Sequence, residues 1–545
     1  MKLWIVATVA AVAVHANAIV LTEPRILVDG KGPDEAGCCV SMCSDGRVEV
    51  RAQKPISIIR LEWCREWPTG TRFLNDVWER SYGDIRWQKL PERMERPWYA
   101  FWRDKAVELC SPWYFLVTDG TQVDGYGVKV QPNALCCWKV SASGLALELD
   151  VTAGGRPLRL GGRTLEACTI VKRIGKPGER PFAAGREFCR LMCPVPRLAR
   201  GPVYGYNDWY CAYGKNTASN FLADAAFICS LAKGLQNRPY VVMDDGWQPN
   251  SPTVVQTYDD NGPGGSGYGP WNRSGESFGM EMSAFAKKVS DLGAHPGLWY
   301  RPYRCWPGVS EDLKVANGSF CFDPTKPDVK KMIFEDVSRF RRWGFKLVKI
   351  DYLTKDLCGL YGTEMGDRVF HEDKNWADDG RTSAEVILDL HRTMRAAAGD
   401  DMVIIGCNAL NHLVAGLFEV QRTGGDTSGW EWARTRQNGV NTLAHRSIQD
   451  RIFFSVDADC AGLARESAVP WSKNSQWIDL LGRSGTPFFI SWKRDLVTPG
   501  VRTALTAAFC RASELHEAGE PLDWLSDAFP CVWRLADGVA VYDWD

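Results

Sequence analysis

Between residues 199 and 517, short apolar runs alternate with longer amphipathic stretches eight times over. The runs are Val203 to Tyr210, Tyr240 to Asp244, Pro296 to Tyr300, Lys346 to Asp351, Met402 to Cys407, Phe418 to Arg422, Ile452 to Asp457 and Pro487 to Ser491. Apolar runs of this length read as strands buried on both faces. Stretches such as Asp328 to Trp343, Ser383 to Ala398 and Asn474 to Leu481 read as the helices that cover them. The connection between the fifth and sixth runs is too short for a full helix. Strand–helix alternation predicts a parallel sheet, either closed as a (β/α)8 barrel or open and doubly wound. The open sheet calls for a phosphate-binding glycine turn after the first strand. Tyr206-Asn-Asp-Trp209 is no such turn, and Gly264-Gly-Ser-Gly-Tyr-Gly269 follows no strand. The barrel is therefore the expected fold, with the glycine-rich segment an insertion in its second loop.

The flanks read differently. Residues 19–198 carry short runs at period two, such as Arg47 to Ala52, Trp98 to Trp102 and Leu145 to Asp150, between Gly-, Pro- and Asp-rich turns. That pattern predicts an N-terminal antiparallel β-sandwich. Residues 518–545 hold a hairpin pattern around Asp537-Gly538, a short C-terminal β segment that must pack on the barrel or belong to a further β-domain. Residues 1–18 have Lys2, an apolar run from Leu3 to Val14 and an Ala16-Asn17-Ala18 site. They read as a signal peptide cleaved after Ala18, so the mature chain is expected to be secreted or periplasmic. No apolar run is long enough to span a membrane.

Among 545 residues, 65 Lys and Arg face 66 Asp and Glu, a net charge of −1 that leaves no cationic excess for nucleic acid. Nineteen cysteines, an odd number, lack metal-binding spacing and read mostly as small buried apolar residues, with room for a few bridges. The 24 Trp and 16 Tyr serve equally as core or as faces for sugar rings. Nothing in the sequence specifies an oligomeric state.

Barrel proteins keep their chemistry at the carboxyl ends of the strands. Here those ends carry Asp244 and Asp245 (second), Asp351 (fourth), Arg422 and Asp426 (sixth), and Asp457 and Asp459 (seventh). Lys349 and Asp351 are two apart on one strand and point to one face, where an ammonium keeps a carboxylate ionised or fills the barrel as a structural ion pair. Asp426 follows two glycines, which allow a tight path over a cleft or simply form a turn. Asp244-Asp-Gly246 fits a turn or a pair of hydroxyl acceptors, with Trp247 as a stacking face.

Residues 201–517 resemble the catalytic barrel of the α-galactosidase (melibiase) clan, glycoside hydrolase families 27 and 36. The resemblance lies in four motifs in order: Gly205-Tyr-Asn-Asp-Trp209, Val242-Met-Asp-Asp-Gly-Trp-Gln248, Lys349-Ile-Asp351 and Arg422-Thr-Gly-Gly-Asp426. It implies Asp351 as nucleophile and Asp426 as acid/base of a retaining mechanism. It further implies Asp244, Asp245, Lys349 and Arg422 as ligands of a galactose-like ring, joined by Asn207, Trp209, Trp247 and Trp299. It implies an oligosaccharide or glycoside substrate and neither metal nor organic cofactor. The sequence departs from the clan at Arg301, where family 36 members often carry an acid, and at Asp208. Two other readings stand beside a hydrolase: a transferase of the raffinose-synthase type, and a sugar-binding pseudoenzyme.

Overall fold

The computed structural model describes residues 23–90, 109–249, 267–316, 320–463 and 467–545. The expected signal peptide, the Trp98 to Trp102 run and residues 264–266 of the glycine-rich segment lie outside the described residues.

The N-terminal part forms two antiparallel sheets. One has five strands in the order Arg25–Val28, Ile58–Cys64, Gly144–Asp150, Leu135–Ser141 and Leu109–Pro112. The other has six, in the order Cys38–Met42, Arg47–Ala52, Leu165–Arg173, Val123–Val128, Tyr114–Thr118 and Arg72–Asn75. The period-two pattern is realised directly. Ile59, Leu61 and Trp63 are buried, while Arg60 on the other face pairs with Glu62 at 2.6 Å and with Glu148 on the next strand at 2.7 Å.

All eight predicted parallel strands are present. In order they are Tyr204–Asn207, Tyr240–Met243, His295–Tyr300, Leu347–Ile350, Val403–Gly406, Val420–Arg422, Ser455–Asp457 and Phe488–Trp492. Strands one to seven pair in sequence order, and the first also pairs with the eighth. The seventh stave is broken. Ser455–Asp457 pairs with the sixth strand, then Ala458 and Asp459 (φ +74°) turn the chain, and a ninth strand, Cys460–Leu463, pairs with the eighth. The sequence pattern did not foretell this break. Asp459, at this break, lines the cavity at the rim.

Full helices follow the first four strands, at Ala218–Leu231, Met282–Leu292, Pro327–Arg342 and Ser383–Ala398, and the last two staves, at Trp471–Arg483 and Pro499–Ala512. The short fifth connection holds one turn, Asn411–Val414. After the sixth strand, Trp432–Thr435 runs into a π-helical segment, Arg436–Asn441, before Thr442–Arg446. Such widened turns recur where a helix must aim a side chain at a site. No helix among the described residues is long and apolar enough to cross a membrane.

The C-terminal hairpin, Val532–Leu535 and Gly538–Val541, gains a third strand from Glu520–Pro521. It packs on the Trp471–Arg483 helix through Arg483–Asp537 (2.7 Å) and the bond from the Tyr542 hydroxyl to Asp479 (2.9 Å). None of the few bridges for which the sequence left room is formed, and most of the nineteen cysteines are buried.

Candidate active site

The barrel mouth opens into a cavity of about 400 Å³, within the range of small-molecule sites. Nine of the ten predicted site residues line it: Asn207, Trp209, Asp244, Asp245, Trp299, Lys349, Asp351, Arg422 and Asp426. They converge because each sits at or just past a strand end, and the parallel ring brings those ends to one rim.

The tenth, Trp247, is a correction. Its side chain is fully buried against Trp271, Phe340 and Trp343, and its indole N–H donates to the Trp299 carbonyl at 2.9 Å. It supports the wall from behind and offers no face to a ligand. The glycine-rich insertion touches the site at its described end. Gly267 (φ +69°) lies so close that a Cβ there would meet the Trp299 ring at 2.3 Å and an Asp245 oxygen at 3.0 Å.

Asp351 follows the fourth strand. It accepts from the Trp299 indole at 3.0 Å and from the Tyr352 amide at 2.7 Å. Burial acts to raise its pKa, but the Lys349 charge, the Trp299 bond and Arg80 outweigh it and hold the carboxyl below its ordinary value. Lys349 is not its direct partner, as sequence proximity had implied. The ammonium bonds Asp244 at 2.7 Å, and Asn207 donates to the same Asp244 oxygen at 2.8 Å. Asp245 is buried and accepts from Gln248 at 2.5 Å. Burial, followed by the charges of Asp244 and Asp351, pushes it up to about 7. Asp208 lies beneath this pair, accepting from the Asp244 amide at 2.7 Å and from Asn216 at 3.1 Å, and burial pushes it up to about 8. It therefore organises the Asp244 backbone and does not line the cavity.

Asp426 stands on the other side, its side chain 38% exposed. Gly424 and Gly425 earn their place by close packing: a Cβ on the first would meet the Asn438 carbonyl at 2.2 Å, and on the second the Tyr82 ring at 2.7 Å. One Asp426 oxygen accepts from Arg422 at 2.9 Å and from Arg80 at 3.2 Å. Its main-chain carbonyl accepts from Arg434 and, out of the π-helical segment, from Asn438, both at 2.8 Å. Burial favours the neutral acid, but Arg422, Arg80 and Arg434 together hold the carboxyl far below the usual range. Arg422 also pairs with Asp459 at 2.7 Å.

Several lining residues escaped the sequence reading. Asp459 was visible at the end of the seventh strand and obeyed the same rule as the others. Arg80 and Tyr82 carried no such signal, because they come from the sandwich. Segment 76–82 is fixed to the barrel rim by a bond from the Ser81 amide to the Thr423 carbonyl (2.8 Å) and one from the Gly425 amide to the Ser81 carbonyl (2.9 Å). A buried Arg446–Asp76 pair at 3.3 Å anchors the same segment. The site is thus built by the barrel and by a segment from the N-terminal sheets.

Arg301 does not reach a ligand. Its guanidinium forms two bonds to Asp356, at 2.9 and 2.6 Å, and lies 3.9 Å from the centre of the Tyr352 ring, which lines the cavity. Both ion-pair side chains are about fully buried, at 1% and 2% exposure. Removing one partner strands the other charge. Arg301→Met is expected to lower unfolding free energy by about 3–5 kcal/mol in urea titrations. A loss under 1 kcal/mol would show that Asp356 finds water or another cation.

The fold and the rim define a class: a (β/α)8 barrel behind a β-sandwich, with two acids from its fourth and sixth strands facing one cavity. The fold is similar to that of solved α-galactosidases, several of them from glycoside hydrolase family 36. TtGalA, an α-galactosidase from Thermus thermophilus solved with p-nitrophenyl α-D-galactopyranoside, superimposes with a TM-score of 0.59 at 14% identity, over 93% of this chain and 99% of that one. The GH36 α-galactosidase AgaA from Geobacillus stearothermophilus gives 0.56 at 12% identity, over 90% of this chain and 69% of its own. The galactosidase domain of the α-galactosidase–sucrose kinase AgaSK gives 0.56 at 13%, over 88% and 67%. No protein-family model matches the sequence.

Proposed function

We propose that this chain is an exported retaining α-glycosidase that hydrolyses terminal α-galactosyl or closely related residues. One observation carries the reading: Asp351 and Asp426, from separate strands, line the same cavity, the first held by the Trp299 indole and the Tyr352 amide and the second by Arg422 and Arg80. Asp351 would attack the anomeric carbon, and Asp426 would protonate the departing oxygen and then deprotonate water. Asp244, Asp245 and Lys349 would accept and donate to ring hydroxyls. Together with Asp351 they place net negative charge where an oxocarbenium-like transition state develops. The likeness to enzymes solved with p-nitrophenyl α-D-galactopyranoside and with stachyose supports the galactosyl assignment. Export rests on residues 1–18.

The test is turnover of p-nitrophenyl α-D-galactopyranoside, with NMR of the first-formed sugar; release of the α-anomer supports retention, and the β-anomer sinks it. One observation favours the sugar-binding alternative: Asp426 is an anion held by guanidinium groups in the free site. A pure binding protein would bind galactose saturably and release no nitrophenol.

The pH profile follows from the Asp351 environment. A nucleophile must be ionised, and a lowered pKa keeps it so to more acidic pH. For an activated aryl substrate, which needs little acid assistance, kcat/KM is expected to show a step near pH 7 as Asp245 titrates and a final loss below about pH 4 as Asp351 protonates. In Asp245→Asn the step near pH 7 should vanish, and a remaining acid limb with its midpoint above about pH 5 would contradict the assigned role of Lys349 and Trp299.

A further inference from the structure

The cavity is electrically divided. On the sugar side, Asp244, Asp245 and Asp351 line the wall with Lys349, and the charge of Arg80 reaches Asp351 from the other side. Among the groups that line the Asp426 side, three guanidinium groups (Arg80, Arg422 and Arg434) face two carboxylates, Asp426 and Asp459, while behind the wall the buried Glu79 lies 3.9 Å from Arg80. Arg422 is committed to both of those carboxylates. Arg434 spends its Nε on the Asp426 main-chain carbonyl, and its two terminal nitrogens meet no acceptor among the described residues. Arg80 is 9% exposed and reaches Asp426 at 3.2 Å, and its buried Nε makes no hydrogen bond among the described residues but lies 3.9 Å from the Glu79 carboxylate. Among the groups that line the cavity, the positive excess therefore lies where the leaving group would depart.

We infer that the leaving group of the natural substrate carries an anionic oxygen substituent, a carboxylate or a sulfate ester, bound by Arg434 and Arg80. This rests on the glycosidase reading above. A guanidinium fork matches either oxyanion in a bidentate way that an uncharged sugar cannot reproduce. The same contact serves the chemistry. An anion drawing Arg80 and Arg434 to itself relieves Asp426 of two positive neighbours, so Asp426 can take a proton from solvent. That proton passes to the glycosidic oxygen as the C1–O bond breaks and Asp351 bonds to C1. Asp426 then removes a proton from water, whose oxygen displaces Asp351.

The experiment compares three disaccharides that share an α-galactosyl group: one on glucose, one on glucuronate and one on glucose 6-sulfate. Wild-type kcat/KM is expected to be at least about tenfold higher for one or both anionic substrates at low ionic strength, with the advantage shrinking in about 0.5 M NaCl. The two anionic arms tell carboxylate from sulfate. Arg434→Gln and Arg80→Gln should each bring the anionic-to-neutral ratio toward one, and Arg434→Lys should fall between. Calorimetry of free glucuronate, glucose 6-sulfate and glucose gives a readout that needs no turnover. Equal kcat/KM across the three substrates, or equal binding of the three free sugars, overturns the inference while leaving the glycosidase reading intact. Anion-selective binding lost in Arg434→Gln, with no substrate turned over, supports the anion site and overturns the hydrolase.

Discussion

Asp351→Ala is expected to lower kcat on an aryl α-galactoside by about 10⁴-fold or more, with cooperative unfolding retained. The covalent route needs a carboxylate on the face of the sugar opposite the leaving group, and no other acid that lines the cavity is free to take its place. Asp244 is tied to Lys349 and Asn207, Asp245 to Gln248 and Asp459 to Arg422 and Thr427, and Asp426 serves the other side. The folded state should tolerate the change. Alanine removes the acceptor of the Trp299 indole and the Tyr352 amide, a cost of about 1–3 kcal/mol for each group left dry. A small anion can enter the space vacated. Added azide should restore turnover and yield the β-galactosyl azide, the product of a single inverting displacement, seen by NMR. Near-normal activity in this variant would remove Asp351 from the mechanism.

Asp426→Ala should divide substrates by their leaving groups. A sugar leaving group departs as a poor alkoxide without a proton, so hydrolysis of an oligosaccharide is expected to fall by about 10²–10⁴-fold. An activated aryl group leaves unaided, and its first step should be nearly spared. With azide the intermediate is intercepted from the other face, so the product is the α-galactosyl azide. The two azide products therefore report on the two acids separately. An equal loss on good and poor leaving groups would mean that Asp426 positions Arg422 and Arg80 and transfers no proton.

The legible parts of this protein are those where one residue's neighbours in sequence are also its physical environment. Strands sealed on both faces must be apolar throughout, so Leu347–Ile350 or Val403–Gly406 shows up as a run. A carboxylate directly after such a run breaks the pattern, which is why Asp351 could be picked out, and the two glycines before Asp426 marked a tight path beyond the sixth strand. Trp247 shows the opposite case. An indole beside two aspartates suits a sugar face or a core equally well, and only the packing of Trp271, Phe340 and Trp343 around it decided for the core. Lys349 is a middle case. Its face of the strand was legible, but its partner was set by the spacing of strands across the ring, which brought Asp244 closer than Asp351.

By itself the sequence determined the strand and helix succession, the parallel barrel and the inventory of acids on its rim, because burial periodicity is a local property written into every few residues. Tertiary structure alone decided which cations answer those acids. Arg80 reaches Asp426 across 346 residues of chain, and the broken seventh stave turns Asp459 toward Arg422. Coulomb energy depends on distance in space, and no pattern along a polymer records a distance that is made only when two domains close on each other.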